Sequence, residues 1–166
     1  MTEGEGTMSS KESKEKVWNM IKDIKVGMLV TQEDDRLHSR PMQLVQDSYD
    51  GTLWFFTKIQ SGKTEEVMSE KNVCVAFSNS SEQTHVSLTG KAKLNFDQEK
   101  IEELWSPFVA AWFPEGKQSS DMALLEIKVD HGEYWNNDNT SLGYLYEVAK
   151  ANVSKETPDL GENQKF

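Results

Sequence analysis

The chain has 166 residues and a formal charge of −10, with 28 acidic against 18 basic side chains. That length fits one domain with its own core, and that charge repels phosphate backbones and anionic membranes, which argues against nucleic acid or membrane as a partner. The one cysteine, Cys74 in the run Val73-Cys74-Val75-Ala76-Phe77, rules out an intramolecular disulfide and fits a reducing compartment, with Cys74 expected as inert core.

Met1 to Ser10 is polar, with neither the basic start nor the apolar stretch of a secretory signal. No apolar run approaches the ~18 residues of a membrane span. A cytoplasmic protein is expected, with a flexible segment over 1–15. Ser9-Ser10-Lys11-Glu12 has the form of a capping box, and Val17, Trp18, Ile21 and Ile24 follow at helical spacing, so a helix should cover one mouth of the core. β-rich runs come next: Val26 to Gln32, an acidic turn at Glu33-Asp34-Asp35, then Leu37 to Gln46, which together read as a hairpin. An Asp50-Gly51 turn leads into a third strand, Thr52 to Thr57. Gly62 to Lys71 suits a short helix, with Glu65 and Glu66 in its first turn.

Val73 to Ser78 and Thr84 to Phe96 read as two further strands, the second bending at Gly90. Ile101, Leu104, Trp105 and Phe108 form the stripe of a helix that begins near Asp97 and should stop around Pro107. An aromatic loop, Ala111 to Gly116, follows it. Met122 to Val129 and Glu133 to Asn136 read as the last strands, with Asp130-His131-Gly132 as a turn between them, and Ser141 to Ala151 as a closing helix. Residues 152–166 look like a loose polar tail. Six to seven short antiparallel strands with flanking helices, mainly β, point to a barrel over residues 16–151.

Thr57-Lys58-Ile59-Gln60-Ser61-Gly62-Lys63-Thr64 ends like a phosphate-binding P-loop, but the spacing of that motif requires glycine where Thr57 stands. What remains is a smaller anion site: helix N–H groups, Lys58 and Lys63, and the hydroxyls of Ser61 and Thr64, enough for one terminal phosphate. A capped helix with solvated lysines is the other reading. Ser39-Arg40-Pro41-Met42 places an arginine and a proline inside a strand-like segment, and such irregular edges expose backbone groups to ligands; a surface arginine beside an edge-strand proline is the other reading. The histidines His38, His85 and His131 lack metal-ligand spacing, and no metal site is expected. Trp18, Trp54 and Trp105 are most simply core.

In order, Gly27-Met28-Leu29-Val30, Ser39-Arg40-Pro41-Met42, Leu53 to Thr57, Ser61-Gly62-Lys63, Val73 to Phe77 and Val86 to Ala92 resemble the FMN-binding split-barrel superfamily. Within it the chain is most similar to the general stress protein branch related to pyridoxamine 5′-phosphate oxidase, to which Leu104-Trp105, Trp112 to Gly116 and Glu133-Tyr134-Trp135 also fit.

That resemblance implies a split-barrel homodimer with FMN in a groove at each end of the interface. The flavin would be held by Ser39, Arg40, Pro41 and Met42 and by Phe56 and Thr57, and its phosphate by Lys58, Ser61, Lys63 and Thr64. Trp112 and Trp135 could line a flavin pocket from the partner chain, with core packing the other reading of Trp112. Gly62 stands where the oxidases carry a second basic residue, and His85 where they carry a glutamine that contacts the flavin. The oxidases also hold the pyridoxyl substrate with a late arginine and histidine. Here Trp135 is followed by Asn136 to Asn139 and Leu142-Gly143-Tyr144, so oxidation of pyridoxamine phosphate is not expected. Two functions fit: a flavin-dependent oxidoreductase using NAD(P)H and a small unknown substrate, or a non-catalytic protein that stores or senses flavin under stress.

Overall fold

The computed structural model describes residues 10–59, 71–137, 141–159 and 161–166. The first helix, α1 (Ser10–Ile21), buries Val17 and Ile21 completely, and the chain leaves it through Lys25 in the left-handed conformation (φ 64°). β1 (Val26–Glu33) and β2 (Arg36–Gln43) form the expected hairpin, turned at Asp34 with φ 55°. β3 (Thr52–Lys58) follows. The helix expected from Gly62 onward lies outside the described residues except for Lys71, which opens β4 (Lys71–Asn79).

β4 turns into β5 (Thr84–Asn95) through Asn79, whose side-chain oxygen accepts hydrogen bonds from the backbone N–H groups of Ser81 and Glu82. After β5 come α2 (Gln98–Leu104) and α3 (Pro107–Trp112). Asp97 caps α2 by accepting from Glu99 N at 3.0 Å, and Ser106 caps α3 by accepting from Val109 N at 3.2 Å. Pro107 thus ends one helix and opens the next, because proline at the first helical position gives up an N–H that would have had no partner. The aromatic loop expected from Ala111 is therefore helical for its first two residues.

β6 (Met122–Asn136) is one strand with no turn at Asp130-His131-Gly132. The ladder to β5 instead absorbs an irregularity between Thr89 and Gly90, which lets both long strands bend together. α4 (Ser141–Ser154) follows, and residues 162–165, expected to be loose, form β7 (Glu162–Lys165) against β6. Backbone pairing to Glu133–Asn136 gives that polar segment the partner that its own apolar content could not.

The antiparallel sheet of 7 strands runs β2-β1-β4-β5-β6-β3, with β7 beside β3 on the same edge of β6. It curls as a split barrel but does not close: β2 and β3 are not paired. The Gln46 side chain lies against the open edge of β3 in place of a strand, accepting from Trp54 N and donating to Thr52 O, each at 2.8 Å.

One core fills the inner face, built on Leu29, Phe55, Val75, Phe77, Leu88 and Tyr134, all nearly or fully buried. A second, under α2 and α3, is built on Ile101, Val109, Phe113 and Leu124, with Trp54, Phe56 and Trp105 packed against it. Trp18 packs on the first. Cys74 is half-buried on the outer face rather than in the core, with Sγ 3.4 Å from Ser87 Oγ. No described helix is long and apolar enough to cross a membrane.

Candidate functional site

The open seam between β2 and β3 forms a pocket of about 440 Å³, within the ~300–1,000 Å³ typical of small-molecule and cofactor sites. β2 contributes Pro41, Met42 and Gln43; β3 contributes Phe56, Thr57 and Lys58; α3 lies across them with Phe108, Val109 and Trp112. Each element brings its residues there for a local reason. Pro41 and Met42 lie near the end of a strand that has no partner beyond it among the described residues, where a missing N–H is harmless. Phe56 is locked edge-on to Trp105, with centroids 5.9 Å apart, and lies 6.0 Å from Phe113. The proline start of α3 turns Val109 and Phe113 inward and leaves Phe108 and Trp112 on the rim, 52% and 63% exposed.

Among the described residues, Lys58 is the charged residue of the lining, its ammonium 5.8 Å from the centre of the Phe113 ring. Phe113 is itself 6% exposed. An apolar trough with the Lys58 cation and the Thr57 hydroxyl at the end of β3 suits a flat aromatic ligand that carries an anionic group.

Of the residues singled out from the sequence, Pro41, Met42, Phe56, Thr57, Lys58 and Trp112 line this one pocket. Ser61, Lys63 and Thr64 lie outside the described residues. Arg40 is not in the lining: its guanidinium is 3.4 Å from Glu33 Oε1 and 3.3 Å from Thr31 Oγ1, and His38 Nδ1 stands at 3.5 Å. Glu33 reaches it across the hairpin, a proximity that only the β1–β2 register creates. Ser39 is exposed and likewise outside the lining. Phe108, Val109, Phe113, Gln43, Val45 and Val26 were missed. The apolar residues of α3 were the available signal, hidden by reading Pro107 as a stop.

Trp135 lies elsewhere. Lys58 pairs with Met122 at the start of β6, whereas Trp135 is near its far end, on the order of 40 Å along an extended strand. There it stands in a row across neighbouring strands, Ser78–His85–Trp135–Asn163. Trp135 is 40% exposed. His85 Nδ1 is 2.6 Å from Ser78 Oγ. The same outer face carries Val26 and Met28, 43% and 41% exposed, beside half-buried Cys74 and Ala76.

Residues 12–159 match the family described as pyridoxamine 5′-phosphate oxidase like. General stress protein 26 of Bacillus subtilis is 31% identical over 73% of this chain and 86% of its own. A crystal structure assigned to general stress protein 26 of Jannaschia sp. CCS1 superposes with a TM-score of 0.73 at 29% identity, covering 94% of this chain and 98% of that one. The general stress FMN/FAD binding protein of Xanthomonas citri superposes with a TM-score of 0.69 at 30% identity, over 79% of this chain and 93% of its own.

Proposed function

Because the chain belongs to the pyridoxamine 5′-phosphate oxidase-like family, within its general stress protein branch, we propose that the pocket at the seam holds FMN and that the protein is a flavin-dependent oxidoreductase. The observation that carries this reading is the convergence of Pro41, Met42, Phe56, Thr57 and Lys58 on one apolar trough ending in a cation. These residues fit a flavin: an apolar surface for a planar ring, and a lysine and hydroxyl for its charged end. Phe56, Phe113 and Met42 would keep water from the ring, and Lys58, continued by Ser61, Lys63 and Thr64, would hold the phosphate. When bound, the flavin would supply transfer of hydride or electrons from NAD(P)H to a small oxidant.

The active unit is a homodimer. Trp135 does not line the pocket of its own chain and stands near the opposite end of β6 from the partner of Lys58, but a second copy seated on the outer face around Met28 and Ala76 would bring its own Trp135 to that pocket. An obligate interface of this kind buries ~2,000 Å² or more. The phosphate of pyridoxamine phosphate would find neutral amides and hydroxyls after Trp135, and a dianion without a cationic partner binds weakly. Its oxidation is therefore not the activity expected.

Titration with FMN and with riboflavin tests the assignment. FMN is expected to bind much more tightly, and replacing Lys63 by alanine should weaken FMN by about 1.5–3 kcal/mol while leaving riboflavin unchanged. Equal affinity for the two flavins would remove the phosphate from this end of the pocket. Steady-state oxidation of NADH or NADPH by the FMN-loaded protein separates catalysis from storage.

A further inference from the structure

β7 begins after residue 159, where the family match ends, so its role has to come from its own contacts. Those contacts are specific. Glu162 accepts from Lys16 Nζ on α1 at 2.6 Å and from Tyr134 Oη on β6 at 2.6 Å, and Gln164 Oε1 lies 2.9 Å from the same hydroxyl. The Lys16 ammonium stands 4.9 Å over the Tyr134 ring, which is completely buried. Past β7, Phe166 exchanges both backbone hydrogen bonds with Gly132, each 2.9 Å, and its ring lies 6.1 Å from that of Tyr134. A Cβ at position 132 would overlap the Phe166 ring, so glycine is what lets the ring lie there. The strand is thus fastened at both ends.

Between those fastenings, Asn163 stands in register with Trp135 and donates from Nδ2 to Glu133 Oε1 at 3.1 Å. Residues 133–136 of β6 therefore have a strand on each side, β5 and β7, and Trp135 occupies the middle of a row rather than the margin of a sheet. The geometry points to β7 as a positioning strand: clasped by Glu162 and Phe166, it fixes the Trp135 indole as the wall that closes the partner chain's flavin pocket. This inference rests on the flavin reading above and deepens it. An indole that must be ordered on binding costs affinity, and one held in advance does not.

The test compares the intact chain with Glu162→Gln and Phe166→Ala, each with and without Trp135→Ala, and uses FMN and riboflavin as probes. Amide exchange over 162–165 reports whether β7 is released. On release, both flavins should lose affinity by the same factor, about two- to tenfold, because the ring wall is disturbed and the phosphate grip is not. The loss should disappear in the Trp135→Ala background, and Phe166→Tyr should restore affinity. Several results would overturn the inference: no loss once exchange shows release, a loss confined to FMN, a loss that persists without Trp135, or full protection of 162–165 in both variants. If the intact chain binds neither flavin, the pocket assignment itself fails and this inference falls with it.

Discussion

Gly90 sits at the irregularity in the β5–β6 ladder, and a Cβ there would run into the main-chain carbonyl of Lys128. A backbone oxygen cannot swing aside as a side chain can. Gly90→Ala is therefore expected to lower stability by about 1–3 kcal/mol, read as a lower urea midpoint with an unchanged slope. The sequence marked this glycine as a bend, since a side-chain-free position within a long β pattern has few other uses. Other residues were illegible for an equally plain reason. For Arg40 the sequence left a ligand contact and a plain surface position both open, because Glu33 becomes its neighbour only through pairing, and Gln46 gave no sign that its amide would serve β3 as a strand edge. Short-range chemistry reads well from sequence; contacts made by register do not.

At the scale of elements, the strands were readable where turn residues coincide with real turns, as at Asp34 and Asp50-Gly51. They misled at Asp130-His131-Gly132, where pairing on both sides of β6 overrides local turn preference. β7 left no signal at all, because its polar residues are held by partners distant in the chain, Lys16 and Tyr134. The same partners make its attachment depend on pH. Lys16 and then Tyr134, by hydrogen bonding, hold the Glu162 carboxyl below its ordinary value of 4.5. A depressed carboxyl contributes stability above its unfolded pKa and loses it as pH falls through the lower folded value. Glu162→Gln should accordingly lower Tm at pH 7, and the difference from the intact protein should shrink steadily below about pH 4.5. A difference that grows on acidification would mean that Glu162 is not paired as described.

For the whole molecule, an antiparallel barrel was legible from the strand count and the tight turns, and the split sheet of 7 strands agrees with it. That the barrel is split came only from the family resemblance and not from the strand pattern, because nothing local distinguishes a last pairing that forms from one that does not. Val26 and Met28, exposed on the outer face, together with the shared site proposed above, make the solution state a test. The intact protein is expected to show a dimer mass by light scattering at micromolar concentration. Met28→Asp, which would place like charges near one another across the proposed two-fold contact, should shift it toward monomer. A monomeric mass for the intact protein with FMN bound would contradict the shared site.

The strand order carries a consequence for how the chain acquires its shape. β1 with β2, and β4 with β5 and β6, join neighbours in sequence or nearly so. β3 instead has its backbone partners at Met122 to Lys128, on the far side of β4, β5, α2 and α3. Closing so long a loop is entropically expensive and slow, so β3 should dock last. Phe56, Thr57 and Lys58 would then arrive after most of the sheet is complete, and refolding followed by amide exchange should find protection there later than in β4 and β5. Ligand binding and the final step of folding would be one event, so a compound that fills the seam would also act as a folding aid.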